Sequence, residues 1–306
     1  MAFGELQLIW PVFVLPGSGR RETVPSMPGV FRLSLDELVR DAARAERAGV
    51  SGIAVFPVVP AAQKDERGSA ALSSSGLPCR AASELRDRFP KLALIGDIAL
   101  DPYTSHGHDG LLANGQVHND STVAVLAEMA VVHAQAGFDT VAPSDMMDGR
   151  VGAIRRALDG AGLTGTRILA YTAKYASAFY GPFRAALGSA QSVPIDKGTY
   201  QMDPGNAREA LREAALDIAE GANVIMVKPG LPYLDIVAML RQRFQVPIAA
   251  YQVSGEYALL RAAADAGLCS FEQALTESLI AFKRAGADIV FTYAAIEAAE
   301  RAGAAP

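Results

Sequence analysis

Eight short apolar runs, each followed by a polar or amphipathic stretch, constrain this chain more than any other feature of its 306 residues. The runs are Leu8–Leu15, Gly52–Val59, Lys91–Ile98, Phe138–Ala142, Arg167–Tyr171, Val224–Val227, Pro247–Tyr251 and Asp288–Thr292. Helical patterns lie between them at Leu33–Ala48, about Ala81–Arg88, Ser121–Ala136, Gly149–Gly160, Asn206–Glu220, Pro232–Phe244, Tyr257–Ala266 and Ser270–Gly286. Ala294–Ala302 closes the chain as a last helix. Strand and helix alternating eight times over this length predict a single-domain (β/α)8 TIM barrel spanning residues 1–306. A doubly wound open sheet is the alternative. No Gly-x-Gly-x-x-Gly follows any run, and Gly17-Ser18-Gly19 reads as a flexible turn. Ser34 with Glu37 three residues on predicts a capping box at the first helix, which Gly49 ends.

Half the residues are hydrophobic, enough to bury a barrel-sized core. Charged residues make up 20% and the net charge is -5, so there is no basic footprint for nucleic acid. An anionic substrate would need local cations. Cys79 and Cys269 are the only cysteines, neither with a close partner. That excludes a disulfide framework and a thiolate zinc site, and it fits a reducing compartment. No basic leader opens the chain and no run of about 18 apolar residues occurs, so the expectation is a cytoplasmic protein without a membrane partner.

In a TIM barrel the chemistry sits where the strands end. The polar residues of this chain gather at those points. The third run leads to Asp97, Asp101, His106, His108 and Asp109, and the fourth to Ser144, Asp145 and Arg150. The fifth leads to Lys174 and the sixth to Lys228; the seventh is followed by Ser254 and the eighth by Tyr293. A lysine closing a buried strand faces low dielectric, which disfavours its ammonium form. Two amines in one cavity would repel, lowering at least one further, and a neutral amine is a nucleophile for a ketone. The plainer reading is that each lysine snorkels to solvent.

Asp101, His106, His108 and Asp109 could hold a hard cation such as Mg²⁺, or could simply cap turns in a solvated loop. The connection between the lysines is long, with a stretch at about 185–205 that reads as a lid. Arg184 and Lys197 in this connection suit capture of a carboxylate, although surface charge alone would also explain them.

Several of these motifs resemble the porphobilinogen synthase (δ-aminolevulinic acid dehydratase) family. They are Asp101-Pro-Tyr-Thr-Ser-His-Gly-His108, Ala142-Pro-Ser-Asp-Met-Met-Asp-Gly-Arg150, Ala173-Lys-Tyr-Ala-Ser-Ala-Phe-Tyr-Gly-Pro-Phe-Arg184, Thr199-Tyr-Gln-Met-Asp203, Met226-Val-Lys-Pro-Gly230 and Tyr251-Gln-Val-Ser-Gly-Glu256. Ser26-Met-Pro-Gly29 is a shorter match, and the likeness runs from about Leu8 onward. The resemblance implies condensation of two 5-aminolevulinate molecules to porphobilinogen, a lyase reaction of tetrapyrrole and haem synthesis. It implies Schiff bases at Lys228, on the propionate side of the product, and at Lys174, on the acetate side. Arg184, Lys197 and Gln201 match residues holding one substrate carboxylate, and Ser254 and Tyr293 those holding the other. Asp97 and Asp145 match the acids near the lysines, with proton transfer or amine orientation as their roles.

Three departures shape the remaining expectations. The family's zinc-binding form has three cysteines where this chain has Ala99, Asp101 and Asp109, so no catalytic zinc is expected and at most a hard cation, Mg²⁺ or K⁺. Some lids carry an arginine where this chain has Lys197, followed by Gly198, which exchanges a bidentate clamp for a point charge beside a looser backbone. Only seven residues precede the first run, against a long subunit-embracing arm in the family. A homo-oligomer of two or more copies is therefore expected, with the octamer in question. Glu213 matches the ligand of an activating Mg²⁺ in some members, or is a plain surface glutamate. The alternatives to a synthase are a specialised or inactive paralogue that binds 5-aminolevulinate or a related keto acid, and a class I aldolase-like Schiff-base lyase.

Overall fold

The chain, described here as a computed structural model over residues 6–187 and 195–304, closes eight parallel strands into a barrel. They are β1 Gln7–Val14, β2 Gly52–Pro57, β3 Ala93–Ile98, β4 Thr140–Pro143, β5 Arg167–Lys174, β6 Val224–Lys228, β7 Ile248–Gln252 and β8 Ile289–Thr292. Each pairs with the next, and β8 returns to β1 through Gln7↔Ile289 and Ile9↔Phe291. The strands are buried almost throughout, so their continuous apolar runs reflect coverage on both faces. Pro11 stands inside β1, where a missing N–H would ordinarily break the ladder. It falls between the stretch paired with β8, which ends at Ile9, and the stretch from Phe13 paired with Phe31–Leu33, so that side of the strand is open there.

The helices are α1 Leu35–Ala48, α2 Leu77–Arg86, α3 Asn119–Gln135, α4 Arg150–Gly160, α5 Gly181–Leu187, α6 Ala207–Glu220, α7 Leu234–Arg243, α8 Ser254–Asp265, α9 Phe271–Ala285 and α10 Ala295–Ala304. Among the described residues none is long and apolar enough to cross a membrane. Arg21–Thr23 and Phe31–Leu33 form a small hairpin after β1 that the sequence did not announce.

Three expectations need correction. The capping box does not form: Ser34 makes no cap bond, its hydroxyl instead donating to Asp36 and accepting from the Arg20 N–H. Glu37 is drawn off by Arg21 and Arg40. The helix after β7 begins at Ser254, three residues earlier than its pattern suggested. The fifth strand runs on to Lys174, three residues past the expected end.

That extension decides where the lysines point. Residues three apart on a regular strand face opposite sides. Between β5 and β6 the register slips: Ile225 faces Ala170, but Val227 faces Ala173. Three residues of β5 thus oppose two of β6, a bulge that reverses the alternation. Tyr171 and Lys174 both reach the lumen, and Lys174 stands directly beside Lys228.

Candidate active site

Lys174 and Lys228 line one small cavity of about 40 Å³ at the carboxyl end of the barrel. Phe56, Asp97, Asp101, Asp109, Ser144, Tyr180, Phe183, Arg184, Lys197 and Gln201 complete its wall. Neither lysine faces bulk water: their exposures are 5% and 6%. The snorkelling alternative is thereby excluded.

Their surroundings differ. The Lys228 amine is walled by the rings of Tyr251 at 4.7 Å, Tyr171 at 5.0 Å, Phe183 at 5.2 Å and Tyr180 at 5.4 Å. Ring faces attract an ammonium by up to about 2 kcal/mol each when dry. Desolvating a charge costs several kcal/mol, and Lys174 adds repulsion. Desolvation wins: burial, then the Lys174 charge, lowers the Lys228 amine to about 7, against the pull of Asp97, Asp101 and Asp109.

The Lys174 amine instead donates to Asp109 Oδ1 at 3.1 Å and to the Ser144 carbonyl. The other oxygen of Asp109 accepts from Lys197 Nζ and from the Tyr200 hydroxyl, both at 2.7 Å. Burial alone would raise the Asp109 pKa. The Lys174 and Lys197 charges, with the hydrogen bonds from Lys197 and Tyr200, outweigh it and hold the carboxyl well below the usual range. Lys197 is desolvated too, yet Asp109 and Asp101 keep its pKa above the ordinary lysine value.

Asp97, the last but one residue of β3, lines the same cavity. Burial, then the Asp101 charge, pushes it up to about 7, and its Oδ1 has no hydrogen-bond partner. It is a carboxyl poised to exchange a proton near neutrality. Asp145 lies behind the wall: it accepts the Met147 N–H at 2.7 Å and faces Arg150 at 3.6 Å. Burial raises it to about 6 although Arg150 opposes. Arg150 binds the carbonyls of Met147 and Tyr171, bracing the bulged stretch of β5.

Arg184 on α5, Lys197 and Gln201 all reach the cavity. Part of the lid expected at 185–205 falls on residues 188–194, outside the described residues, as do residues 1–5, where a shortened arm was expected. Ser254 and Tyr293 adjoin the site without lining the cavity. Ser254 Oγ accepts the Phe183 N–H at 3.0 Å, tying the start of α8 to α5. The Tyr293 hydroxyl lies 3.3 Å from that of Tyr251, and burial raises its pKa. Glu213 is half-buried on α6, remote from the cavity. Burial, then Asp217, raises its pKa, while Arg150 opposes.

The metal-like motif is put to other uses. His106 accepts the His108 N–H at 3.2 Å on one ring nitrogen, and the other lies 3.2 Å from the Glu66 carbonyl. Among the described residues no three His, Cys, Asp or Glu side chains gather as a metal cage. The residues that sequence reasoning missed are Tyr200 and the aromatic wall of Lys228. Tyr200, Tyr180 and Phe183 lay inside quoted motifs, where only Lys174, Arg184 and Gln201 were given roles.

The family model described as delta-aminolevulinic acid dehydratase matches residues 2–301. The chain belongs to that family. It is 55% identical over 294 residues to the delta-aminolevulinic acid dehydratase of Bradyrhizobium diazoefficiens, covering 96% of this chain and 83% of that one. The chloroplastic enzyme of Chlamydomonas reinhardtii is 49% identical over 301 residues, covering 95% and 77%. Among solved structures, the delta-aminolevulinic acid dehydratase (porphobilinogen synthase) of Toxoplasma gondii, in complex with the reaction product porphobilinogen, superposes with a TM-score of 0.95. It is 49% identical, over 97% of this chain and 85% of that one.

Proposed function

We propose that this chain condenses two molecules of 5-aminolevulinate to porphobilinogen through imines on Lys228 and Lys174. The observation that supports this most is the pairing of two buried lysines on adjacent strands, one in an apolar wall and one in an ionic one. Each amine attacks a ketone carbon; the carbonyl oxygen leaves as water and a C=N bond replaces it. One imine acidifies its neighbouring carbon, and the other offers an electrophile. The acidified carbon forms a C–C bond to the other imine carbon, whose lysine amine is then eliminated. A substrate amino group closes the ring on the remaining imine carbon and displaces the second lysine, with two waters lost in all. Holding both substrates side by side removes the entropy cost of their encounter.

In this reading Lys228 reacts first because burial lowers its amine to about 7. Asp97 takes up and returns the protons. Asp145, behind the wall, positions the Ser144 turn. Arg184, Lys197 and Gln201 hold one substrate carboxylate, and Asp109 occupies that partner's place on Lys197 until substrate arrives. Substrate binding then parts Lys197 from Asp109, and Ser254 and Tyr293 take the second carboxylate.

The donor set does not fit a thiolate zinc centre: Ala99 offers no ligand and Asp109 is spent on two cations. A zinc-selective chelator is expected to leave the rate unchanged, and loss restored by Zn²⁺ would contradict this. For Mg²⁺ the candidate is Glu213, half-buried on α6, which would supply a single carboxylate ligand. It would act there on stability or activation, away from the chemistry. Mg²⁺ should raise Tm in the wild type and not in Glu213→Gln. A homo-oligomer in the cytoplasm completes the proposal, testable by sedimentation.

The deciding experiment is incubation with 5-aminolevulinate, with product assay and borohydride reduction. A pyrrole product with adducts on both lysines is expected. An adduct on one lysine without pyrrole would favour a Schiff-base lyase, and binding without an adduct an inactive paralogue.

A further inference from the structure

Glu256 belongs to a motif singled out in the sequence, yet no role has been attached to it. It sits in the first turn of α8, 3% exposed, and its carboxylate accepts three backbone N–H groups. Oε2 takes Val253 at 2.7 Å and Gly230 at 3.1 Å, and Oε1 takes Leu231 at 2.6 Å. Val253 precedes α8. Gly230 and Leu231 belong to the turn that leaves β6 directly after Lys228. One buried side chain thus ties the backbone following the amine to the start of a helix.

Both tied segments approach their neighbours closely, so a small shift of either is felt at once by what it packs against. A Cβ at Gly230 would come within 2.5 Å of the Phe282 ring and 3.0 Å of the Tyr251 carbonyl. A Cβ at Gly255 would come within 2.5 Å of the Phe179 carbonyl. Ser254, between Val253 and Gly255, binds the Phe183 N–H, and the Phe183 ring is part of the Lys228 wall. Cutting the clip would therefore release the turn behind Lys228 and, through Ser254, one side of its apolar wall.

We infer that Glu256 is a positioning residue for the Lys228 imine, holding the turn after that lysine against the start of α8 so that its amine meets the ketone inside the aromatic wall. The inference rests on the reading of Lys228 as an imine-forming residue. A carboxylate suits the task because two oxygens satisfy three donors; a glutamine keeps one oxygen but turns an amide N–H toward a backbone N–H. Misplacing a reacting group by about 1 Å costs on the order of a hundredfold in rate.

The test is a series, Glu256→Gln and Glu256→Ala, read by kcat, KM and peptide-mapped borohydride trapping of the 5-aminolevulinate adduct. The glutamine variant is expected to lose about tenfold in kcat and the alanine variant about a hundredfold, with KM little changed. The rate of adduct formation on Lys228 should fall by the same factors, lowering its ratio to the Lys174 adduct. A purely structural role would lower Tm and leave that ratio alone. If the alanine variant does not fold, the glutamine variant still decides. An unchanged adduct ratio with kcat within twofold of wild type overturns the inference. Absence of any adduct on Lys228 of the wild type would overturn the reading beneath it instead.

Discussion

Lys174 and Lys228 are the same residue, at paired positions on neighbouring strands, ending in the same cavity, yet their surroundings are opposites. One amine donates to a carboxylate and a carbonyl; the other is enclosed by four aromatic rings and lowered to about 7. Reactivity here is set by what a side chain is taken away from as much as by what it touches. For Lys228, burial and the neighbouring Lys174 charge outweigh the pull of Asp97, Asp101 and Asp109. A condensation that treats two identical substrates differently needs such an asymmetry.

Removing either amine is the strongest way to break the comparison. Lys228→Ala should cut kcat at least about a thousandfold, roughly 4 kcal/mol in the barrier; residual activity within tenfold of wild type would defeat its assignment. Asp109→Asn should come next, since it removes the anion that holds both Lys174 and Lys197. A fall of about a hundredfold in kcat/KM is expected from steady-state kinetics, consistent with loss of a buried charge pair worth 2–5 kcal/mol in other systems.

The wild-type pH profile sharpens the contrast. A protonated amine cannot attack a ketone, so kcat/KM should drop about tenfold per pH unit below 7 and level off above it. Phe183→Ala would wet the Lys228 wall, raise its pKa and move that acid limb upward, costing about tenfold at pH 7. An unshifted limb would mean that Lys174, and not the rings, controls Lys228. The smallest effect concerns the hairpin after β1. Arg32 donates through Nη2 to the Ala185 carbonyl at 2.7 Å and through Nε to that of Ala186, holding the end of the helix that carries Arg184. Arg32→Ala should raise KM a few-fold, about 1 kcal/mol, with kcat unchanged.

The barrel was legible because eight apolar runs leave few architectures open, and the lysines because each ends a run. What escaped was set by partners distant in the chain. The bulge that carries β5 on to Lys174 depends on its register with β6, about 55 residues away, and no local pattern encodes it. Asp109 looked like a cation ligand beside two histidines. Its partners, Lys174, Lys197 and Tyr200, lie 65 to 91 residues downstream. Ser34 and Glu37 had the spacing of a capping box, but the hairpin brings Arg20 and Arg21 close enough to take both side chains. The helix α5 begins with Gly-Pro and spans seven residues, too few for a periodic signal.

The asymmetry of the two amines is tested most directly by borohydride trapping at limiting 5-aminolevulinate, with each adduct mapped to its lysine across pH 5 to 9. Lys228 should carry the first adduct, with half-maximal trapping near pH 7, and Lys174 should be modified only as substrate approaches two equivalents. Equal labelling of both lysines at every pH, or labelling of Lys174 first, would contradict it.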